Sequence, residues 1–409
     1  MLVKNSFTHD ARVLREAKTL VRNGYEVTVI ALSAKNLPER ERSADNIQII
    51  RVSRGIGASL HAVSDPSQAK SKISKRSQRV RGLAVKVVKF VATTPVGELV
   101  QKTIDARMRT AALSVQPAIV HAHDLDTLEV GVAVSSALDI PLIYDSHEIA
   151  SQRNHHSSSR KRRSYDLEKQ LMNNVDRMIM VSQGCADYTA EIYNIATPDV
   201  IMNCPDLREG SVNSRSLREE LGIADTDFLA VHQGSLQRNR GVEETIQAVA
   251  QVTDCTLVII GFGQHRIALE NYVAERGLNH KIKFFGPVPS HELIEWTASA
   301  DLGIATIIGK SKSYLYSMPN KLFEYVMAGI PVIASNYPDM GSFVQMNDIG
   351  LTCDPESVTE IRDAILKLMN DSELRSKYAK NANVARSKFN WQIEEEKLLA
   401  IYRELVGTK

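Results

Sequence analysis

The chain has 409 residues, 43% hydrophobic and 24% charged, with only 21 Gly and 13 Pro. That composition excludes collagen-like, low-complexity and largely disordered chains, and at about 150 residues per domain the length suggests two to three domains. Fifty basic and 48 acidic side chains leave a formal charge of +2, so any charged partner would have to be met by a local patch.

Taken in chain order, strand-like and helix-like segments alternate, which predicts α/β architecture with parallel sheets. Met1–Lys4 is a short first strand. Ala11–Asn23 has apolar residues at 13, 14, 17, 20 and 21, near a 3.6-residue period. Strands are predicted at Tyr25–Leu32, Ile47–Val52, Ala118–His121, Leu142–Tyr144, Met178–Val181 and Val200–Met202. Helices are predicted at Arg163–Val175 and Ala186–Tyr193.

Asn203–Arg215 has Pro, Gly, Asn and Ser and no apolar run, and reads as a linker. The rhythm then restarts. Strands are expected at Phe228–His232, Thr256–Ile260, Ile282–Phe285, Leu302–Thr306, Pro331–Ala334 and Gly350–Thr352. Helices are expected at Val242–Val252, Gln264–Arg276, His291–Ala298 and Lys321–Met327, and Glu356–Val406 reads as helical with short breaks. The predicted fold is two tandem, doubly wound Rossmann-like domains with a final helix returning to the first. The domains are expected at 1–206, 207–388 and 389–409 (the returning helix), with a basic insertion near 55–97. Ligands of open α/β sheets bind at the carboxyl ends of strands, so two facing sheets would put the site in the cleft between them.

No run of about 18 apolar residues occurs, so no membrane-spanning helix is expected. The first residues, MLVKNSFTHDARVLREA, lack the apolar core of a signal peptide. Cys185, Cys204, Cys255 and Cys353 match no zinc or disulfide spacing and predict buried, reduced thiols in a cytoplasmic protein. Between Lys70 and Lys89 eight basic residues occur without an acidic one, beside an apolar stripe at Leu83, Val87, Val88 and Val91. Such a segment suits an anionic membrane surface, which would make the protein peripheral at the inner face. Nucleic acid is not expected, because Phe90 is the one aromatic available for stacking there.

The most informative stretch is Pro319-Asn320-Lys321-Leu322-Phe323-Glu324-Tyr325, followed by Gly329-Ile330-Pro331 and an apolar strand. A helix start with free amides and a nearby Lys is an anion site, and a carboxylate beside it suits ribose hydroxyls. The same residues also fit an ordinary amphipathic helix with a surface Lys–Glu pair.

This stretch resembles the nucleotide-sugar site of retaining glycosyltransferases of family 4, which have the GT-B fold. Val231-His232-Gln233-Gly234-Ser235, Arg240-Gly241, Gly261-Phe262-Gly263 and Gly286-Pro287-Val288 fit the family in order and spacing. The resemblance implies a metal-independent hexosyltransferase acting from a nucleoside-diphosphate sugar onto a glycan or lipid-linked acceptor, in synthesis of cell-surface polysaccharide, lipopolysaccharide or glycolipid. It implies donor contacts from Gly234, Ser235, Arg240, Gly261, Gly263, Pro287, Val288, Tyr316, Met318, Pro319, Asn320, Lys321 and Glu324. Arg240 and Lys321 would hold the diphosphate, Glu324 the ribose, and His123 would approach the transferred sugar. His9, Arg12, Asp124, His147 and Glu148 are the acceptor-side candidates.

Two family positions differ: Tyr316 stands where a donor carboxylate is usual, and Ser235 where an Arg is usual. Asp124-Leu125-Asp126 has the form of a metal motif, but two carboxylates rarely suffice for a metal, so neither metal nor cofactor is expected. A nucleotide-sugar epimerase of the same fold and a non-catalytic partner of another transferase remain as alternatives.

Overall fold

The computed structural model describes residues 1–8, 10–55, 95–154, 156–208 and 215–407. His9 and the basic stretch 70–89 lie outside the described residues.

By packing, the chain divides into two compact units. The first takes described residues of Met1–Ser151, Ser157–Met180 and the chain from Leu398; the second takes Gln152–His156 and Val181–Lys397. The passage at Met180 falls ahead of the predicted linker. Helix Gln183–Tyr193 joins the second unit because Ser182 Oγ donates to Tyr316 O at 2.6 Å and Gly184 N–H donates to Asp339 Oδ2 at 3.0 Å. The final helix, Trp391–Gly407, supplies residues to both units.

In the first unit Thr28–Leu32 pairs in parallel with Gln48–Val52, which pairs antiparallel with Arg40–Arg42. Val120–His123, Leu142–Ser146 and Arg177–Met180 form a second parallel run. Leu2 bridges to both Ile30 and Ala122, so the short first segment joins the two runs. Helices Ala11–Arg22, Pro95–Ser114, Leu125–Leu138 and Ser158–Leu171 accompany them. Leu125–Leu138 was not predicted: its buried face includes Thr127, Gly131 and Ser135, so the apolar residues alone show no clear 3.6-residue stripe.

The second unit has a six-stranded parallel sheet. Its order is Ile282–Gly286, Cys255–Phe262, Phe228–Ser235, Leu302–Ala305, Val332–Ser335, Gly350–Cys353. Numbered along the chain this is 3-2-1-4-5-6, the doubly wound order whose strand sequence reverses between the first and fourth strands. Its central strands are buried on both faces. Leu229 and Val231 pack with Leu322, Phe323 and Val326, whereas Phe228 and Ala230 pack with Val242, Ile246 and Ile365. Period-2 alternation sends neighbours to opposite faces. All four cysteines are buried free thiols, and burial pushes Cys255 and Cys353 up to about 12.

Two glycines mark the carboxyl edge of this sheet. Gly261 has φ +153°, and a Cβ there would come within 1.9 Å of Gly234 O. Gly234 has φ +115° with open space around it. Gly261→Ala is therefore expected to cost on the order of 3–5 kcal/mol, because rigid backbone must move. Gly234→Ala should cost about 1–3 kcal/mol, from strained backbone alone. Thermal melting of the two variants checks that order.

Candidate active site

In the second unit, Gly234 and Ser235 end strand Phe228–Ser235 and face outward. Helix Asn320–Ala328 starts at Pro319 and stops at Gly329, whose φ of +74° closes it in the left-handed region. Tyr325 holds that helix to the sheet. Its hydroxyl accepts from Gln233 N–H at 3.1 Å and lies 3.3 Å from Val231 O and 3.2 Å from Ile304 O. Glu324, one residue earlier, accepts from Gln233 Nε2 at 2.5 Å, and Thr297 Oγ1 donates to Gln233 Oε1 at 2.7 Å.

Lys321, expected to hold the diphosphate, is not the surface residue of the ordinary amphipathic-helix alternative. It is buried, with Nζ 2.9 Å from His232 Nε2 and 3.2 Å from Thr306 O. Position 321 lies on the helix face that packs inward with Leu322, Tyr325 and Val326. Burial first and the Arg240 charge second push its ammonium well below the ordinary lysine value, with Glu324 opposing. His232 is held well below the ordinary histidine value by burial, then Lys321 and Arg240. Arg240 lies 4.8 Å over the Tyr314 ring, and its Nε has no hydrogen-bond partner. Gly241, at φ +69°, lets this loop approach, since a Cβ there would meet Thr306 Oγ1 at 2.3 Å.

The structure thus gathers His232, Gln233, Arg240, Lys321 and Glu324 beside the point where strand order reverses. Of the other expected donor residues, Gly234, Ser235 and Gly261 lie side by side at the carboxyl edge of this sheet, and the rest are placed as follows. Met318 sits in the hydrophobic core, and Asn320 accepts from Asn203 Nδ2 at 2.9 Å. The Tyr316 carbonyl is tied to Ser182, with the Tyr188 ring 6.0 Å away. Pro287 is exposed, Val288 half-buried, and Gly263 lies where a Cβ would strike Leu236 O. His232, Gln233 and Thr306 were missed as site residues. The legible signal was two polar residues closing an apolar strand.

The first unit holds a second polar cluster. Glu16, His121, His123 and Asp145 are all at most 3% exposed. His123 Nδ1 lies 3.3 Å from Asp145 Oδ2, and His123 Nε2 lies 3.9 Å from Glu16 Oε2. His123, the residue expected to approach the transferred sugar, is thus buried beside both carboxyl groups. Asp145 Oδ2 also meets His147 Nε2 at 3.1 Å, and His147 Nδ1 lies 3.3 Å from Asp124 Oδ2. Asp124 caps helix Leu125–Leu138 at φ +62°, a strained conformation for a side chain of this kind. Asp126 is exposed, so the two carboxylates of the Asp-x-Asp motif do not converge. Arg12 is half-buried on helix Ala11–Arg22, close enough for its charge to act on His147 and Glu16. Glu148 is half-buried, and its carbonyl accepts from Ser146 Oγ at 2.8 Å.

Residues 213–384 match the family of glycosyl transferases group 1, and residues 11–209 match glycosyltransferase family 4. The chain is 26% identical over 311 residues to a D-inositol 3-phosphate glycosyltransferase of Corynebacterium jeikeium, covering 70% of this chain and 72% of that one. It is 29% identical over 194 residues to an alpha-D-kanosaminyltransferase of Streptomyces kanamyceticus, covering 46% and 48%. In three dimensions it is similar to the HepE protein of Anabaena in complex with UDP, with a TM-score of 0.71 at 19% identity over 99% of each chain. A glycosyltransferase of Rickettsia africae gives a TM-score of 0.73 at 14% identity, covering 100% of this chain and 98% of that one. The reversed strand order, the glycine-edged loop and these matches define the class: this is a GT-B glycosyltransferase. The chain belongs to glycosyltransferase family 4.

The His147 geometry has a pH consequence. Burial pushes its pKa down, but Asp124 and Asp145 outweigh this and hold it well above the ordinary 6.5. The folded state therefore keeps a proton that the unfolded chain releases above about pH 6.5. This contribution to stability is full below that value and fades as pH rises through the raised folded value. His147→Gln is expected to lose that alkaline fall. Melting temperatures of the two proteins across pH 6–9 should converge as pH rises.

Proposed function

We propose that this enzyme moves a hexose-type sugar from a nucleoside diphosphate to a glycan or lipid-linked acceptor, with retention of anomeric configuration, in cell-surface polysaccharide or glycolipid synthesis. The observation that carries the donor assignment is the crowding of Arg240, Lys321 and His232 around one half-buried carboxylate, Glu324. Burial and the Arg240 charge disfavour the charged form of Lys321, and a bound dianion offsets that penalty. In this reading the Arg240 guanidinium, whose Nε has no hydrogen-bond partner, binds the diphosphate, and buried Lys321 adds positive potential from behind. Glu324 accepts from ribose hydroxyls while Gln233 holds it in place.

Charge developing on the leaving diphosphate is stabilised by groups already oriented, so little reorganisation is needed as the glycosidic bond breaks. These protein cations do the work at the diphosphate that a metal does in other folds. The departing phosphate oxygen takes the acceptor's proton. The uridine nucleotides bound by the Anabaena protein make UDP the first base to try. No helix among the described residues is long and apolar enough to cross a membrane. The eight basic residues between Lys70 and Lys89 lie outside the described residues and suit an anionic surface carrying a lipid-linked acceptor.

The test is a melting scan with UDP, GDP, ADP and TDP, each with and without magnesium. A ligand at 100 times its Kd stabilises by about 2.7 kcal/mol, so one nucleotide should raise the melting temperature without magnesium. A shift with none of them would favour the non-catalytic partner reading that Tyr316 and Ser235 motivate. Calorimetry on Glu324→Ala should then show binding of that nucleotide weakened by about 1–3 kcal/mol. An unchanged Kd would remove Glu324 from the site.

A further inference from the structure

The cluster in the first unit carries more polar atoms than its hydrogen bonds use. Helix Ala11–Arg22 supplies Glu16, strand Val120–His123 supplies His121 and His123, and strand Leu142–Ser146 supplies Asp145. One donor atom from each of the four lies within 4.8 Å of the other three. Glu16 Oε2, His121 Nε2, both ring nitrogens of His123 and Asp145 Oδ1 are buried and have no hydrogen-bond partner. Leaving one such group unsatisfied costs about 1–3 kcal/mol, so four such side chains together call for an occupant.

The atoms that do have neighbours are arranged as an outer layer. His121 Nδ1 lies 3.0 Å from the Tyr402 hydroxyl, which fixes the ring and turns Nε2 inward. Asp145 Oδ2 sits between His123 Nδ1 and His147 Nε2, which leaves Oδ1 for the centre. His147 is braced in turn by Asp124. An imidazole held through its far nitrogen, as His121 is by Tyr402, and a carboxylate held through one oxygen, as Asp145 is by His147, are usual in the outer layer of a metal centre. His121 and His123 also stack, with ring centroids 4.2 Å apart, so both can address one point.

We propose that Glu16, His121, His123 and Asp145 bind a divalent transition metal, with zinc the best match. Two imidazoles and two carboxylates make a closed four-ligand set suited to tetrahedral Zn²⁺, and two carboxylates balance its charge. Ligand distances of about 2.0–2.2 Å require the side chains to draw together from their present spacing. The ion ties the first helix to two strand ends and is structural. It is separate from the Asp124-Leu125-Asp126 motif and does not depend on the donor assignment.

The test uses the full chain, made without a polyhistidine tag, stripped with chelator and dialysed against zinc. Elemental analysis should find about one zinc per chain, and zinc should raise the melting temperature of the stripped protein by several degrees. Cobalt(II) in its place should give the visible absorption of a tetrahedral site. Glu16→Gln and His121→Gln should each lose the bound metal and the zinc-induced shift, whereas Asp126→Asn, an exposed control, should keep both. If the histidine variant does not fold, the near-isosteric Glu16→Gln decides. Wild-type chain that retains no zinc and melts alike with zinc and chelator would overturn the proposal. So would Glu16→Gln binding zinc as wild type does.

Discussion

The second unit depends on one buried hydroxyl. Tyr325 reaches from helix Asn320–Ala328 into the sheet, taking the Gln233 N–H and lying near the carbonyls of Val231 and Ile304. Its ring fits only because residue 303 has no side chain, since a Cβ there would come within 2.4 Å of the ring. A hydrogen bond inside a closed core is expensive to break, because the partners left behind cannot turn to water. It therefore fixes both the height and the rotation of the helix. Glu324 and Lys321 are placed as a consequence, one against Gln233 and the other against His232.

That placement explains the electrostatic character of the region. A lysine held beside an arginine and a neutral histidine, away from solvent, is a store of unfavourable charge. Proteins keep such arrangements where strain serves a ligand. The first unit shows the opposite sign of the same economy. Glu16 is pushed well above the carboxylate range by burial and Asp145, while Asp145 is held well below it by His147 and His123, which outweigh its burial. Both clusters sit at strand carboxyl ends, where the backbone stops supplying partners and side chains must find their own.

Much of the fold was legible because both sheets are built from apolar segments of period 2 alternating with helices of period 3.6. Phe228–Ser235, Cys255–Phe262 and Val332–Ser335 lie within a few residues of their predicted bounds. What escaped is equally physical. Leu125–Leu138 buries Thr127, Gly131 and Ser135 along with its apolar residues, which blurs its stripe, and Arg40–Arg42 is a polar strand of three residues. Glu16 falls among the apolar positions of its helix, yet nothing local says that a buried carboxylate is tolerated there.

By itself the sequence determined the fold class, the family and the loops that carry Gly234, Arg240 and Glu324, because periodicity and motif order are properties of the chain read in one dimension. Only the tertiary structure decided which charges are usable. Sequence left Lys321 open between a diphosphate ligand and half of a surface ion pair, and the fold buries it against His232. His123 was legible as a residue at a strand end, but its neighbours Glu16 and Asp145 were not. The physical reason is that the cost of a charge depends on what surrounds it in space, and those surroundings come from residues dozens to more than a hundred positions away.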